Sequence, residues 1–506
     1  RERTIMTSTA GDSRSRGSGL GAVTYVDIDE DYFDKRQLKR TSGAFGLWAI
    51  GIAAVISGDF SGWNGGIAQA GWGGMLIAAV IVYVMYVLML NSISEMASAM
   101  PHTGGACPSA RAARGPWGGS CTGLAETIEY VMTAATIVYF SSAYADAIVS
   151  DLTGYSLDDH GLQWVWWLAL YVIFVIVNWL GAETSFRFAQ VVSIAALAIV
   201  AIFGIGACAM GKVDFGSLLD IKPTAGGTSF LPMGPAAILF AMPFAMWLFL
   251  GIEQLPLAAE EVRDPEHNIP KASRLCILTL GISALIIVFL NPAVVGSAAL
   301  AGSDEPLLDG YRAILPGNVA ALLSAFALIG LLASIQGIMF AYGRNLYSLS
   351  RAGYSPAFLS LTGKRKTPYW GLIVGAVIGF AALFIIAYGG EGAGSVVLNI
   401  AVWGAVLAYL LQMVSYVLLK RNMPGISRPF VSAYGVPGAV VSGLLALVIF
   451  VAVLFNPDYR LAVYVMVAIY LLATVFFALY GRKHLIMSPE EEFAASGGSL
   501  QYHTHE

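Results

Sequence analysis

The sequence predicts an all-α polytopic membrane protein whose chain crosses the bilayer as twelve helices. Of its 506 residues, 57% are hydrophobic and 12% are charged, which is too apolar a balance for a soluble chain of this length. Apolar stretches of about 20 residues, the length that a helix needs to cross the hydrocarbon core, recur along the chain. We place the twelve spans at residues 44–70, 72–99, 118–149, 163–181, 186–210, 233–258, 273–300, 317–349, 369–388, 394–419, 434–456 and 460–481.

Both ends of the chain lie outside the spans and are polar. Residues 1–43 are mixed in charge and have no apolar core of a signal peptide, so we expect a disordered cytosolic N-terminal tail. Residues 482–506 include a run of three glutamates and are expected to form a solvated cytosolic C-terminal tail. The four cysteines lack the spacing of a metal site or of a disulfide framework, so no metal is expected.

The orientation follows from the basic residues, because Lys and Arg accumulate on the cytoplasmic side of membrane proteins. With the N-terminus inside, only four of the 28 Lys and Arg residues fall in the outer segments. These four are Lys212, Lys222, Arg312 and Arg460. We therefore expect a multi-pass protein of the plasma membrane with both termini in the cytoplasm.

Six residues, Ser57-Gly58-Asp59-Phe60-Ser61-Gly62, interrupt the first span at membrane depth. A helix that breaks there frees backbone N–H and C=O groups, which is tolerated only where they face protein or a water-filled cavity. Discontinuous helices of this kind form the substrate sites of many secondary transporters, and a carboxylate within the membrane is itself a functional-site hypothesis. The candidate substrate-binding residues in this break are Ser57, Gly58, Asp59, Ser61 and Gly62.

The sixth span contains a second interruption, in which Gly251, Glu253 and Pro256 follow Trp247. Trp247 and Gly251 join the candidate substrate-binding residues, Trp247 as a cation–π contact for an ammonium group. Phe60, Trp63 and Phe249 are further aromatic candidates for that contact.

Broken helices at corresponding positions of spans 1–5 and 6–10 are the pattern of an inverted repeat, with the binding site where the two breaks meet. The expected repeats cover residues 44–210 and 233–419. Two extra helices, at residues 434–481, lie outside them.

Glu126 and Glu129 lie three residues apart in the third span, on neighbouring positions of one helix face. Two ionised carboxylates at this depth are costly, so we expect at least one of them to hold a proton or a partner. The pair is the first candidate for proton coupling, and a structural hydrogen-bonded pair is the alternative. Tyr130 follows the pair and is expected to reach the cavity with its hydroxyl.

Several further stretches resemble the amino acid–polyamine–organocation superfamily of transporters. They are Glu95-Met96 with Pro101 and Gly104-Gly105, residues 259–270 (AEEVRDPEHNIP) and residues 343–353 (GRNLYSLSRAG). Within the superfamily, the chain is most similar to the ethanolamine permeases, on residues 31–38, 55–64, 115–119 and 122–130. The resemblance implies the leucine-transporter-type fold, a 5+5 inverted repeat with two extra helices, and secondary active transport by alternating access.

The resemblance also assigns a role to Glu253. Carriers of unlike substrates have an acidic residue at this position, which favours a gating or architectural role for it over contact with an amine. From its own position at the inner end of the second span, Glu95 is expected to pair with an arginine such as Arg111 or Arg344 as part of an inner gate.

Asp59 decides the expected substrate. Amino-acid carriers of this architecture hold the substrate carboxylate with backbone N–H groups at the first break, and an aspartate there would repel that carboxylate. Asp59 suits an ammonium, so a permease for a small amine, ethanolamine first, is the main expectation. If Asp59 only caps the second half of the helix, the chain is instead an amino-acid permease, either a proton symporter or an exchanger.

Other classes of function are disfavoured. A ligand-sensing membrane receptor is a weaker alternative because the tails hold no recognisable signalling domain. Neither a nucleophile–base constellation nor a cofactor motif is present, so neither an enzyme nor a cofactor is expected, and no basic stripe predicts nucleic-acid binding. The expected partners are a small-molecule substrate, ethanolamine or an amino acid, the lipid bilayer, and a co-transported proton or sodium ion.

Overall fold

A computed structural model of the chain describes residues 15–16, 22–29, 31–315, 317–388, 393–456 and 460–497. Helices stand at all twelve predicted spans, and the all-α class is confirmed. The α-helices are α1 (Ala44–Val55), α2 (Ser57–Phe60), α3 (Gly65–Ala99), α4 (Ala106–Thr153), α5 (Gln163–Trp179), α6 (Ala182–Ala209), α7 (Ala237–Trp247), α8 (Pro265–Val295), α9 (Ser297–Leu300), α10 (Pro306–Ile314), α11 (Gly317–Arg351), α12 (Tyr369–Ala387), α13 (Ala393–Asn422), α14 (Gly435–Phe455), α15 (Arg460–Leu479) and α16 (Pro489–Ala495). Two short strands, β1 (Ser15–Arg16) and β2 (Val23–Thr24), pair antiparallel.

Among the described residues, nine helical segments are long and apolar enough to cross a membrane. Two shorter apolar helices, Ala44–Phe60 and Gln163–Trp179, and helix α11 occupy the other three predicted spans. Large apolar side chains cover the outward faces, where Val191, Ile205 and Leu472 are 70–72% exposed. Apolar faces of this extent need hydrocarbon around them, so the fold is that of a multi-pass membrane protein.

The first span is broken as predicted, between α2 and α3. Phe60 ends α2, and the chain turns through Gly62, whose φ is +88°, before α3 begins at Gly65. Gly71, with φ +72°, then divides α3 into residues 65–70 and 72–99. The first predicted span therefore continues through its break to residue 70.

Two other spans differ from their predicted bounds. Helix α4 begins at Ala106 rather than residue 118, but Gly115, with φ +74°, divides it into residues 106–114 and 116–153, and the predicted span corresponds to the second part. The first part carries Arg111 and Arg114 and so escapes a search for apolar residues. The sixth span ends as a helix at Trp247, and a turn through Gly251 leads into a 3-10 segment over Ile252–Glu261.

The two broken elements lie at the centre of the bundle. Helix α1 packs on α6, α8 and α11, whereas α7 packs on α3. In the same way, α11 packs on α6 and α4 packs on α13. If span 1 corresponds to span 6 and so on to spans 5 and 10, the α1–α8 pair corresponds to the α7–α3 pair, and the α11–α6 pair to the α4–α13 pair. Matching pairs of this kind are the packing that an inverted repeat predicts.

Both tails pack against one end of the bundle, which we call the basic face and define by Arg111, Arg344, Arg351 and Lys420. Tyr25 pairs with Leu485 in a parallel bridge, so that the N-terminal and C-terminal segments lie side by side. The sequence predicts a disordered tail over residues 1–43 and a solvated one over residues 482–506, whereas the parts of them that the structure describes pack against the bundle and are partly buried.

Ion pairs over long sequence distances explain this difference at the C-terminus. The Glu491 carboxylate is buried and accepts from the Arg111 guanidinium at 2.5 Å and from the hydroxyls of Tyr25 and Tyr354. Burial raises the pKa of the Glu491 carboxyl above its ordinary value, and the charge of Arg111 opposes that shift. The acidic run, which the sequence predicts to be a solvated tail, thus packs against the basic face through Glu491. Residues 1–14, 17–21, 30 and 498–506 of the two tails lie outside the described residues.

Candidate functional site

The two helix breaks touch each other through glycines. A Cβ added to Gly58 would lie 2.3 Å from the carbonyl oxygen of Trp247, and one added to Gly62 would lie 2.8 Å from the Trp247 indole nitrogen. Only a residue without a side chain allows the backbones to approach this closely. The prediction that the breaks meet is therefore realised at Gly58, Gly62 and Trp247.

Backbone groups at the junction are free for a ligand. The amides of Gly62, Trp63 and Asn64, which precede the half-helix 65–70, donate none of the hydrogen bonds that the structure describes. Across the junction, the carbonyls of Trp247 and Leu248 accept none of them. The junction thus presents donors at one break and acceptors at the other, at a depth where neither set can find bulk water.

Buried polar side chains surround the same junction. In the part of the chain that the structure describes, several of them have no hydrogen-bond partner although they are shielded from solvent. Those that belong to the breaks or flank them are both carboxylate oxygens of Asp59, Ser61 Oγ, the indole nitrogens of Trp63 and Trp247, Glu253 Oε1 and Gln254 Oε1, and Tyr130 Oη lies beside Glu253. Unpartnered buried polar groups cost free energy, and their concentration at one place marks a site where a polar ligand would satisfy them.

Asp59 is buried next to α8. Its carboxylate lies beside the Ser283 hydroxyl of α8, and its side chain caps neither α2 nor α3. Ser57 is held differently, since its amide donates to Ser334 Oγ of α11 at 2.9 Å. Asp59 therefore borders the junction on the α8 side, whereas Gly58 and Gly62 face α7.

The aromatic candidates are separated by the fold. Phe249 packs on the rings of Tyr83 and Tyr86 in α3, and Phe60 lies against Gly330 of α11. Trp247 and Trp63 keep unpartnered indole N–H groups near the junction. Of the four candidates, the two tryptophans remain available to a ligand.

A cluster of acidic and phenolic groups lies next to the second break. The Tyr409 hydroxyl of α13 is 2.8 Å from Glu129 Oε1 and 2.7 Å from Glu253 Oε2, and it is 3.2 Å from the Tyr86 hydroxyl. Tyr130 lies beside Glu253 as well. Glu253 Oε2 also accepts from the amide of Gly251, whose φ is +104°.

The two glutamates of the third span have different partners. Glu126 accepts from the Ala106 amide at 2.8 Å and so secures the start of α4, whereas Glu129 contacts Tyr409. Glu129 belongs to the cluster at the second break, and Glu126 lies at its edge.

Glu95 does pair with an arginine, but the arginine is Arg428 and not Arg111 or Arg344. Glu95 pairs with Lys420 at 2.5 Å and Arg428 at 3.2 Å, and it accepts from the Tyr416 hydroxyl at 2.6 Å. The expected partners are engaged elsewhere, Arg111 with Glu491 and Arg344 with Glu261. Glu95 does lie at the basic face, but it links α3 to the end of α13 and the loop after it.

Sequence reasoning missed Tyr86 and Tyr409. Each shares its apolar span with a second tyrosine, Tyr83 or Tyr416, and nothing in its neighbourhood distinguishes it from the other tyrosines of the chain. Only the packing of α3 and α13 against the second break brings them to the two glutamates.

The family of the chain follows from its similarity to known proteins. The family model described as amino acid permease matches residues 46–489, which include both breaks and all twelve spans. The chain belongs to the amino acid permease family. The resemblance to the amino acid–polyamine–organocation superfamily is thereby confirmed, and this permease is a membrane transporter.

Its curated relatives are distant but cover most of its length. A branched-chain amino acid permease of Bacillus subtilis is 25% identical over 93% of this chain and 99% of its own. A gamma-aminobutyric acid permease of Escherichia coli is 25% identical over 74% of this chain and 78% of its own. An uncharacterized transporter of Rhizobium meliloti is 26% identical over 88% of this chain and 92% of its own.

The basic face of this permease is closed by buried ion pairs. Arg344 of α11 and Glu261, at the end of the 3-10 segment, are both fully buried and form two parallel hydrogen bonds of 2.9 and 2.8 Å. Arg351 forms two hydrogen bonds with the Glu260 carboxylate in the same way and also pairs with Glu490 of α16. Because Glu260 and Glu261 follow the second break, these pairs fasten that break to α11 and to the C-terminal segment.

We expect Glu261→Gln to destabilise this permease by about 3–5 kcal/mol, because it leaves the Arg344 charge buried without its counter-charge. The measurement is chemical unfolding in detergent micelles. Glu183→Gln is the matched control, since the Arg187–Glu183 pair is exposed and its loss should cost less than about 1 kcal/mol. Equal effects of the two variants would contradict a clamp at Glu261.

We expect Gly58→Ala to abolish transport, because the added methyl group would collide with the Trp247 carbonyl and push the breaks apart. Gly43→Ala adds a methyl group into open space immediately before α1 and should transport as the wild type does. The measurement is uptake of L-leucine and ethanolamine into proteoliposomes with equal amounts of each variant. Normal uptake by Gly58→Ala would show that the junction tolerates separation.

Proposed function

We propose that this permease carries amino acids across the bilayer by alternating access, and that it binds them where the two breaks meet. The substrate carboxylate would accept from the free amides of residues 62–64, and the ammonium would donate to the carbonyls of Trp247 and Leu248. The observation that carries the proposal is this pairing of free donors and free acceptors across a glycine junction.

Electrostatics favours this orientation of the substrate. The amides of residues 62–64 stand at the N-terminus of the half-helix 65–70, where the aligned peptide dipoles present partial positive charge. Helix α7 ends at Trp247, where the same effect presents partial negative charge to an ammonium. A zwitterion with its two charges a few ångströms apart complements both helix ends.

The position of Asp59 supports the same proposal. A carboxylate that lay among the free amides would repel a substrate carboxylate, which was the reason for expecting an amine. Asp59 instead lies against Ser283 of α8, whereas Gly58 meets the Trp247 carbonyl. The relatives named for branched-chain amino acids and for gamma-aminobutyric acid suggest a substrate with both a carboxylate and an ammonium group.

Ethanolamine is the second candidate, and one observation favours it. Both oxygens of the Asp59 carboxylate are buried without a hydrogen-bond partner, and an ammonium group would satisfy them. In that case the hydroxyl of ethanolamine would take the place that the first proposal gives to the carboxylate.

We propose that both termini are cytoplasmic and that the protein resides in the plasma membrane. The basic face carries both tails, and its abundance of Lys and Arg supports a cytoplasmic position. On this orientation the Arg344–Glu261 and Arg351–Glu260 pairs form the inner gate, which must open for the substrate to leave.

An amino acid carries a carboxylate where ethanolamine carries a hydroxyl, and the test uses that difference. We expect saturable uptake of labelled L-leucine into proteoliposomes, competition by unlabelled L-leucine, and more than about tenfold weaker competition by L-leucinol, which keeps the ammonium but has a hydroxyl in place of the carboxylate. A charge-assisted hydrogen bond lost from a buried site accounts for a difference of this size.

Asp59→Asn separates the two candidates further. For an amino acid we expect the half-saturation concentration to change by less than about tenfold, because Asp59 does not contact the substrate. Saturable ethanolamine uptake that amino acids do not inhibit, together with its collapse in Asp59→Asn, would establish ethanolamine and refute the amino-acid proposal.

A further inference from the structure

We infer that Glu129 and Glu253 form a proton-binding site in which one shared proton is held through Tyr409. The site lies beside the second break, within the bundle, and its ligand is a proton taken from solution. The location of the site does not depend on the proposed substrate, whereas its role in transport rests on the proposed function.

The distances define a chain of four oxygen groups. Tyr86 contacts Tyr409 at 3.2 Å, and Tyr409 contacts Glu129 at 2.8 Å and Glu253 at 2.7 Å. The two carboxyl groups also lie against each other. All four side chains are buried, and Glu129 Oε2 and Glu253 Oε1 have no other partner.

If both glutamates are ionised, the short contacts of Tyr409 with them have one hydrogen too few. A tyrosine hydroxyl has a single hydrogen, so Tyr409 can donate to Glu129 or to Glu253 but not to both. The remaining short contact would then join two oxygens with no hydrogen between them. One added proton on either carboxyl completes the chain, because the protonated carboxyl donates to the Tyr409 oxygen while Tyr409 donates to the other carboxylate.

The charges around the pair lead to the same count. In the described residues, neither glutamate forms an ion pair or a hydrogen bond with a lysine, arginine or histidine. The titratable groups that face the pair are Glu126 and Tyr130 of α4, Tyr86 of α3, Tyr409 of α13 and Tyr470 of α15. Two adjacent carboxylates without a cation cannot both stay ionised in a buried site, so one proton is retained.

The position of the site gives the proton a mechanical effect. Glu129 and Tyr409 lie on α4 and α13, which pack so closely that a Cβ on Gly404 would lie 2.8 Å from the Glu129 amide nitrogen. Glu253 lies instead in the 3-10 segment that follows Gly251 and ends at Glu261, the partner of Arg344. The shared proton therefore ties the broken element to two continuous helices, and its release leaves two carboxylates that repel each other across that contact.

Infrared difference spectroscopy of the full-length protein in vesicles tests the site without any substrate. We expect the spectrum of the wild type minus that of Glu129→Gln/Glu253→Gln at neutral pH to show the loss of one protonated-carboxyl C=O band and one carboxylate band. The loss of two carboxylate bands, or of two C=O bands, would overturn the inference. Glu95→Gln is the control, because Glu95 is paired with Lys420 and should contribute a carboxylate band only.

Tyr409→Phe provides a second measurement that is independent of the folding of the double variant. Removing the bridging hydroxyl takes a hydrogen bond from the protonated carboxyl, so its C=O band should shift to higher frequency. An unshifted band would show that the proton is held elsewhere. Tyr470→Phe, at the edge of the cluster, should leave the band in place.

Transport tests the role of the proton. We expect an inwardly directed proton gradient to accelerate L-leucine uptake by the wild type and to have no effect on Glu129→Gln/Glu253→Gln. An unchanged wild-type rate in the gradient would refute proton coupling while leaving the amino-acid proposal intact. Absence of any L-leucine exchange by the wild type would refute the proposed substrate instead, and the spectra would still decide whether the proton site exists.

Discussion

The organisation of this permease depends on one constraint, which is that backbone polar groups at membrane depth must be satisfied or offered to a ligand. The first and sixth spans are both broken, and the fold brings the two breaks together where Gly58 and Gly62 contact Trp247. The free amides of one break then face the free carbonyls of the other. A site for a small zwitterion results from main-chain geometry, and side chains contribute to its border.

Buried charged and acidic groups hold the second broken element at two places. Toward the basic face, Arg344 and Arg351 fasten the end of the second break through Glu261 and Glu260. Beside the junction, Glu253 of the same segment joins Glu129 through Tyr409. The second break is thus held at one place by ion pairs and at another by the contact that we assign to a shared proton. Both sets of contacts must change if this segment moves during transport.

The C-terminal segment takes part in the ion pairs at the basic face. Glu490 binds Arg351, which also binds Glu260, and Glu491 binds Arg111 at the start of α4. An acidic run that follows the last span is therefore part of the structure that closes the basic face. This is the physical reason that the tail packs here, since Glu491 supplies the counter-charge of Arg111 and Glu490 adds a second one for Arg351.

The sequence by itself determined the membrane class, the number of spans, the places of both breaks and membership of a superfamily of transporters, because hydropathy, polar interruptions and contiguous motifs are local properties of the chain. Only the tertiary structure decided which groups meet. It separated Glu126 from Glu129, moved Glu95 to Lys420, turned Asp59 toward α8, and brought Tyr86 and Tyr409 to two glutamates from distant helices. Partners of buried charges come from residues far apart in the chain, and no local pattern records the packing that joins them.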